Sequence, residues 1–143
     1  MNNGLVAKAS ILIDAPREAV WQALVSPEEI RKYMFGTQVA SDWQEGSTIV
    51  WKGEWQGRSY EDKGTIRRCI PKQKLQYSHF SPLSGLPDKP QNHHIVTIDL
   101  AGEGVKTRVT LTQDNNATAD AREHSESNWR VMLEGLKRVV EEP

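Results

Sequence analysis

Trp129, Met132, Leu133, Leu136, Val139 and Val140 recur at i, i+3, i+4 and i+7 near the end of a 143-residue chain, a period close to the 3.6 residues of an α-helix. Arg130, Glu134, Lys137, Arg138 and Glu141 fall on the other side, so the stretch predicts an amphipathic helix that needs a surface to lie on. Followed backwards, helical spacing from Trp129 brings Ser125, Arg122, Ala121 and Thr118 onto or beside the same stripe. One long helix would then have a greasy end that closes a core and a small, polar end that leaves space against a curved sheet. The alternative is a helix that starts near Ser125, with surface loop before it.

The length suits one domain over residues 1–143, large enough to bury a core. Hydrophobic residues make up 37% and charged residues 26%, which excludes a disordered chain. Eighteen basic against nineteen acidic residues create no field for nucleic acid or an anionic membrane. A single cysteine, Cys69, rules out an internal disulfide and reads as a packing residue. Residues 1–4 lack the charged and apolar regions of a signal peptide, and no apolar run reaches membrane-spanning length. The expectation is a cytoplasmic protein.

Residues 5–13 end in Ile11, Leu12 and Ile13 and read as a strand. Asp14-Ala15-Pro16 stops it and opens a short helix, with Pro16 at the first helical position and Val20, Trp21 and Leu24 buried. Ser26 with Glu29 has the form of a capping box, and Pro27 suits the first position of a second short helix. Ile30, Met34 and Phe35 form its apolar side before Gly36 ends it. Six strands follow, over 38–43, 48–55, 58–70 with a bulge near Gly64, 74–80, 93–100 and 105–113. Val105, Thr107, Val109 and Leu111 share one face of the last. Tight turns between consecutive strands make an antiparallel meander, and the set is α+β: one antiparallel sheet with helices on one face. The only long loop, 81–92, offers Leu83 and Leu86 as a lid.

Little in this pattern carries catalytic chemistry. His79, His93, His94 and His124 are scattered, His93 and His94 point to opposite faces of a strand, and no pair has ligand spacing, so no metal is expected. There is no nucleophile motif and no phosphate cradle, and no cofactor is implied. His79 and His94 share strand faces with apolar residues, which leaves general acid or base work open. The aromatic set is the informative feature. Trp51, Trp55, Tyr60 and Tyr77 on strands, with Trp129 on the helix, suit either a packed core or a pocket for a flat apolar molecule held by one or two hydrogen bonds.

Several residues also carry a resemblance. Ile13-x-Ala15-Pro16-x-x-x-Val20-Trp21-x-Ala23-Leu24-x-x-Pro27-Glu28 comes first, followed by Asp42-Trp43-x-x-Gly46 and Gly64-x-Ile66. Pro71, Leu75-x-Tyr77, Val109-x-Leu111 and Trp129-x-x-Met132-Leu133-x-x-Leu136 complete the set. In this order they resemble the START-like helix-grip superfamily, also called SRPBCC or birch-pollen-allergen-like. Within it they are similar to the C-terminal domain of the activator of Hsp90 ATPase. The resemblance implies a curved antiparallel sheet gripping a long terminal helix around a cavity, in a superfamily that includes lipid carriers, cyclases and chaperone regulators. Two positions depart from the pattern: His79 stands where relatives often carry tryptophan, and Asn128 where they often carry glycine.

The reading that follows is noncovalent binding of a small hydrophobic or aromatic ligand between sheet and helix, by a monomer or weak dimer. Its expected contacts are Met34, Trp51, Trp55, Tyr60, Tyr77, His79, Ser125, Trp129, Met132 and Leu133. One alternative is a regulator of an Hsp90-type chaperone ATPase or a stress-response protein, with that chaperone as partner. A second is a cyclase- or hydratase-type enzyme using His79, Tyr77 or Tyr60.

Overall fold

The computed structural model describes residues 5–142, with the side chains of Trp55 and Leu83 outside that description. Residues 1–4, read above as no signal peptide, also lie outside the described residues. The chain runs β1 (Leu5–Ile13), α1 (Arg17–Val25), α2 (Pro27–Tyr33), β2 (Gln38–Ser41), β3 (Thr48–Trp55), β4 (Arg58–Ile70), β5 (Lys74–His79), β6 (His94–Glu103), β7 (Lys106–Asn116) and α3 (Ala119–Glu141). All seven strands join one curved antiparallel sheet in the order β1-β7-β6-β5-β4-β3-β2. β1 and β2 are its two edges, so α1 and α2 carry the chain from one edge to the other.

The caps are built from the residues that the pattern singles out. The Ser26 hydroxyl accepts from the Glu29 N–H at 3.4 Å, and Pro27 opens α2. Pro16 sits one place earlier than expected, at the cap of α1 and not inside its first turn. Thr118 caps α3 by accepting from the Ala121 N–H at 3.0 Å, so the terminal helix takes the longer of its two readings. It lies chiefly over β1, touching β7, α1 and α2. Met132, Leu133 and Leu136 enter the core against residues such as Ile13, Val20, Val109 and Leu111.

Four local expectations are corrected. Phe35 is 78% exposed, while Tyr33 takes the buried place at 5%. The helix stops at Tyr33, and Phe35 and Gly36 then adopt φ of 55° and 83°, which swings the Phe35 ring outward. Tyr33 instead donates its hydroxyl to the Ala23 carbonyl at 2.9 Å, and burial pushes its phenol well above the ordinary range. Val105 is 78% exposed because it lies in the turn before β7. β2 ends at Ser41, two residues short of Trp43, which sits at φ 58°. The irregularity in β4 falls between Ile66 and Arg68, not at Gly64. Gly64 serves close approach: a Cβ there would stand 1.7 Å from the Ser78 carbonyl oxygen on the next strand.

Candidate functional site

A recess of about 230 Å³ opens between the end of α2 and the front half of α3. Met34, Phe35 and Thr37 form one wall, Ser125, Asn128, Trp129 and Met132 the other, and Gln113 of β7 contributes from the sheet. None of these lining residues is charged, and the apolar surface is supplied by two methionines, a phenylalanine and a tryptophan. The recess exists because Ser125 is small where the same stripe further along carries Trp129 and Met132. Phe35 stands at its lip in a left-handed conformation, which is strained for a bulky side chain.

Hydrogen bonds hold both walls. Trp129 Nε1 donates to Gln113 Oε1 at 2.5 Å, and one turn earlier Ser125 Oγ donates to Asn116 Oδ1 at 3.0 Å. On the opposite side Thr37 Oγ1 and the Tyr60 hydroxyl are 2.6 Å apart, tying the loop after α2 to β4. Tyr60 leans over Gly53, where a Cβ would come within 2.6 Å of its hydroxyl.

A row of polar side chains that is not part of this lining lies nearby on the sheet. Tyr60 stands on β4 and Gln113 on β7, with β5 and β6 between them. Val96 of β6 is the cross-strand partner of both Gln113 and Tyr77, and two pairs further along His94 faces His79. Stepping from Gln113 to Asn116 on β7 runs the same way as stepping from Trp129 to Ser125 on α3, so the two imidazoles lie towards the front half of the helix. His79 Nε2 donates to Asp62 Oδ2 at 2.9 Å, and the Trp51 ring meets the His79 ring edge-on at 5.0 Å. Asp62 Oδ1 is buried with no hydrogen-bond partner among the described residues. His94 Nδ1 donates to the Asp114 carbonyl at 2.9 Å, and its ring stacks 6.5 Å from that of His79.

The expected contacts therefore divide. Met34, Ser125, Trp129 and Met132 line the recess together. Trp51 and Tyr77 pack at 5.1 Å and, with Met132, border a small void of about 20 Å³, room for about one water. Burial raises the Tyr77 phenol well beyond its ordinary range. Tyr60, His79 and Leu133 do not line the recess: Tyr60 bonds to the lining residue Thr37, His79 lies in the row on the sheet, and Leu133 is 1% exposed within the core, while the Trp55 side chain lies outside the described residues. Among the described residues, none of 81–92 lines the recess, and Leu86 is 53% exposed; the Leu83 side chain, the other half of the expected lid, lies outside the described residues. Asp88 accepts from His93 and pairs with Lys63, which anchors the loop to β4.

Thr37, Gln113, Asn128 and Asp62 were not expected at the site. Asp62 had a signal, since the two-residue turn Gln56-Gly57 sets a register that pairs Trp51 with Asp62. Gln113 and Asn128 carried none, because their role comes from where the ends of two distant elements meet. Among the described residues no group of three or more His, Cys, Asp or Glu side chains is arranged to hold a metal ion, and none of the described helices is long and apolar enough to cross a membrane. A second surface cleft, of about 390 Å³, lies between α1 and the end of α3. Its lining of alanines, valines and polar residues offers no aromatic wall.

Residues 14–141 match the family model described as activator of Hsp90 ATPase homolog 1-like protein. The solution structure of ChR145 from Cytophaga hutchinsonii is 57% identical, with a TM-score of 0.86, covering 99% of this chain and 97% of that one. The solution structure of the Aha1 dimer from Colwellia psychrerythraea is 23% identical, with a TM-score of 0.75 and coverage of 96% and 97%. CV1439 from Chromobacterium violaceum, at 21% identity and a TM-score of 0.78, covers 96% and 98%. These two share the fold. Among curated proteins, none matches. The seven-stranded sheet gripping a long terminal helix is the START-like fold, and the family model spans nearly all of it: this chain belongs to the activator of Hsp90 ATPase homolog 1-like family.

Proposed function

We propose that this protein binds a small hydrophobic or aromatic molecule noncovalently in the recess between α2 and α3. The observation that carries the reading is the recess itself, apolar on its walls and fitted with four uncharged polar side chains, Thr37, Gln113, Ser125 and Asn128. At about 230 Å³ it falls below the range of roughly 300–1,000 Å³ typical of sites for drug-sized ligands, so the guest is smaller, about the size of two fused rings. Met34, Trp129 and Met132 supply contact area, and the uncharged lining disfavours an ionic group at the mouth. Leu133 acts indirectly by holding α3 in place. Fluorescence titration with 2-methoxynaphthalene tests this, using wild type and Ser125→Trp, which fills the space. Saturable binding weakened by about tenfold or more in the variant, with an unchanged circular dichroism spectrum, is expected. Equal binding by both would remove the recess from the site.

The family match favours a second reading, regulation of an Hsp90-type chaperone ATPase through the outer surface. Its test is the ATPase rate of such a chaperone with and without this protein. An unchanged rate at saturating protein disposes of it.

A further inference from the structure

We infer that the row Asp62–His79–His94, two ladder pairs from Gln113 on the sheet, is a specificity subsite that the inner end of a guest in the recess reaches and that selects ligands carrying a hydroxyl hydrogen-bond donor. The inference rests on the ligand-binding reading and names the chemistry of the guest's buried end.

The argument is one of donors and acceptors. His79 commits its Nε2–H to the Asp62 carboxylate at 2.9 Å, and His94 commits its Nδ1–H to a backbone carbonyl at 2.9 Å. Neither partner has a hydrogen to give, so in the neutral imidazoles both protons are located by what they bond. The remaining nitrogens, Nδ1 of His79 and Nε2 of His94, are lone-pair acceptors. Asp62 Oδ1 adds a third acceptor, buried and without a partner among the described residues. Such an atom carries a desolvation cost that a donor from a guest would remove. Trp51, edge-on to His79, supplies an apolar wall beside the same group. The recess lining is uncharged, while the neighbouring row on the sheet presents acceptors and a carboxylate. A guest that is flat and neutral, with an O–H at its inner end, satisfies both. A carboxylate at that end would bring like charge and no donor to Asp62, so fatty acids and aryl acids are disfavoured.

Three probes of nearly one shape separate the possibilities: 2-naphthol, which donates; 2-methoxynaphthalene, which does not; and 2-naphthoate, which is anionic. Dissociation constants are measured at pH 7.5 by isothermal titration calorimetry on wild type, on the paired replacement Asp62→Leu with His79→Phe, and on His94→Phe. The pair is changed together so that neither group is left buried without its partner. Expected for wild type is 2-naphthol tighter than 2-methoxynaphthalene by about tenfold, with 2-naphthoate weakest. In the paired variant the advantage of 2-naphthol falls to about twofold or less, and His94→Phe reduces it in part. Equal wild-type affinities for 2-naphthol and 2-methoxynaphthalene, or tightest binding by 2-naphthoate, overturn the subsite and leave the recess reading intact. Failure of all three probes to bind overturns both. An advantage of 2-naphthol that survives undiminished in the folded paired variant or in His94→Phe also overturns the subsite.

Discussion

Leu136 has no exposed surface, whereas Trp129, two turns earlier on the same stripe of α3, is only partly buried and borders open space. Truncating the two therefore costs different amounts. Leu136→Ala leaves a cavity in close-packed core and is expected to destabilise by about 2–5 kcal/mol. Trp129→Ala loses one hydrogen bond, to Gln113, and part of its apolar contact, about 1–2 kcal/mol. Urea denaturation of both variants checks this, and a Trp129→Ala loss equal to that of a fully buried aromatic, about 3–5 kcal/mol, would mean that no recess stands beside it. The apolar stripe makes both residues legible as inward-facing. It does not separate the filler of a core from the wall of a recess, because that depends on Ser125 and on Phe35, whose outward swing follows from two positive φ angles and not from hydrophobicity.

At the scale of elements, two joints carry predictions. Gly64 brings β4 against β5 so closely that a Cβ would stand 1.7 Å from the Ser78 carbonyl oxygen. Gly64→Ala must push the strands apart and should cost at least about 1–3 kcal/mol, seen as a lowered thermal midpoint. The other joint ties the end of α3 to the turn after β1. The Lys137 ammonium beside Glu141, together with the Asp14 N–H at 2.7 Å, holds the Glu141 carboxyl below its usual value. A depressed carboxyl contributes stability above its unfolded value and loses it as pH falls through its folded value. Wild type should thus be more stable than Glu141→Gln at neutral pH. The gap should close as pH drops below the ordinary glutamate range near about 4.3. Thermal melts of both proteins from pH 7 to pH 3 measure it, and a gap independent of pH would show that the carboxylate charge is not what holds the joint. The strands, the two short helices and the meander order are legible from alternation, prolines and turns. The exact ends are not, as β6 and β7 show by running to Glu103 and Asn116 on ladder pairing that local composition does not reveal.

At the scale of the whole molecule, the antiparallel sheet with a gripped terminal helix is legible because each element repeats its own period and the order allows few packings. The site is less so, since it forms where the end of α2, the front of α3 and the far end of β7 converge. Trp51 and Tyr77, read as candidate walls, border a void of only about 20 Å³, while Thr37 and Gln113 line the larger recess. Residues on three distant segments meet there through register and crossing geometry, which no single stretch encodes. The central claim is that a small flat guest enters between Met34 and Trp129, and the indole N–H of Trp129 reports on that place directly. In a nitrogen–proton correlation spectrum titrated with 2-naphthol, the account predicts saturable shifts of the Trp129 indole and of the Ser125, Asn128 and Phe35 amides, with Val139 and Val140 unmoved. Shifts that leave the Trp129 indole in place while moving residues around Val139, or no shifts at all, would contradict it.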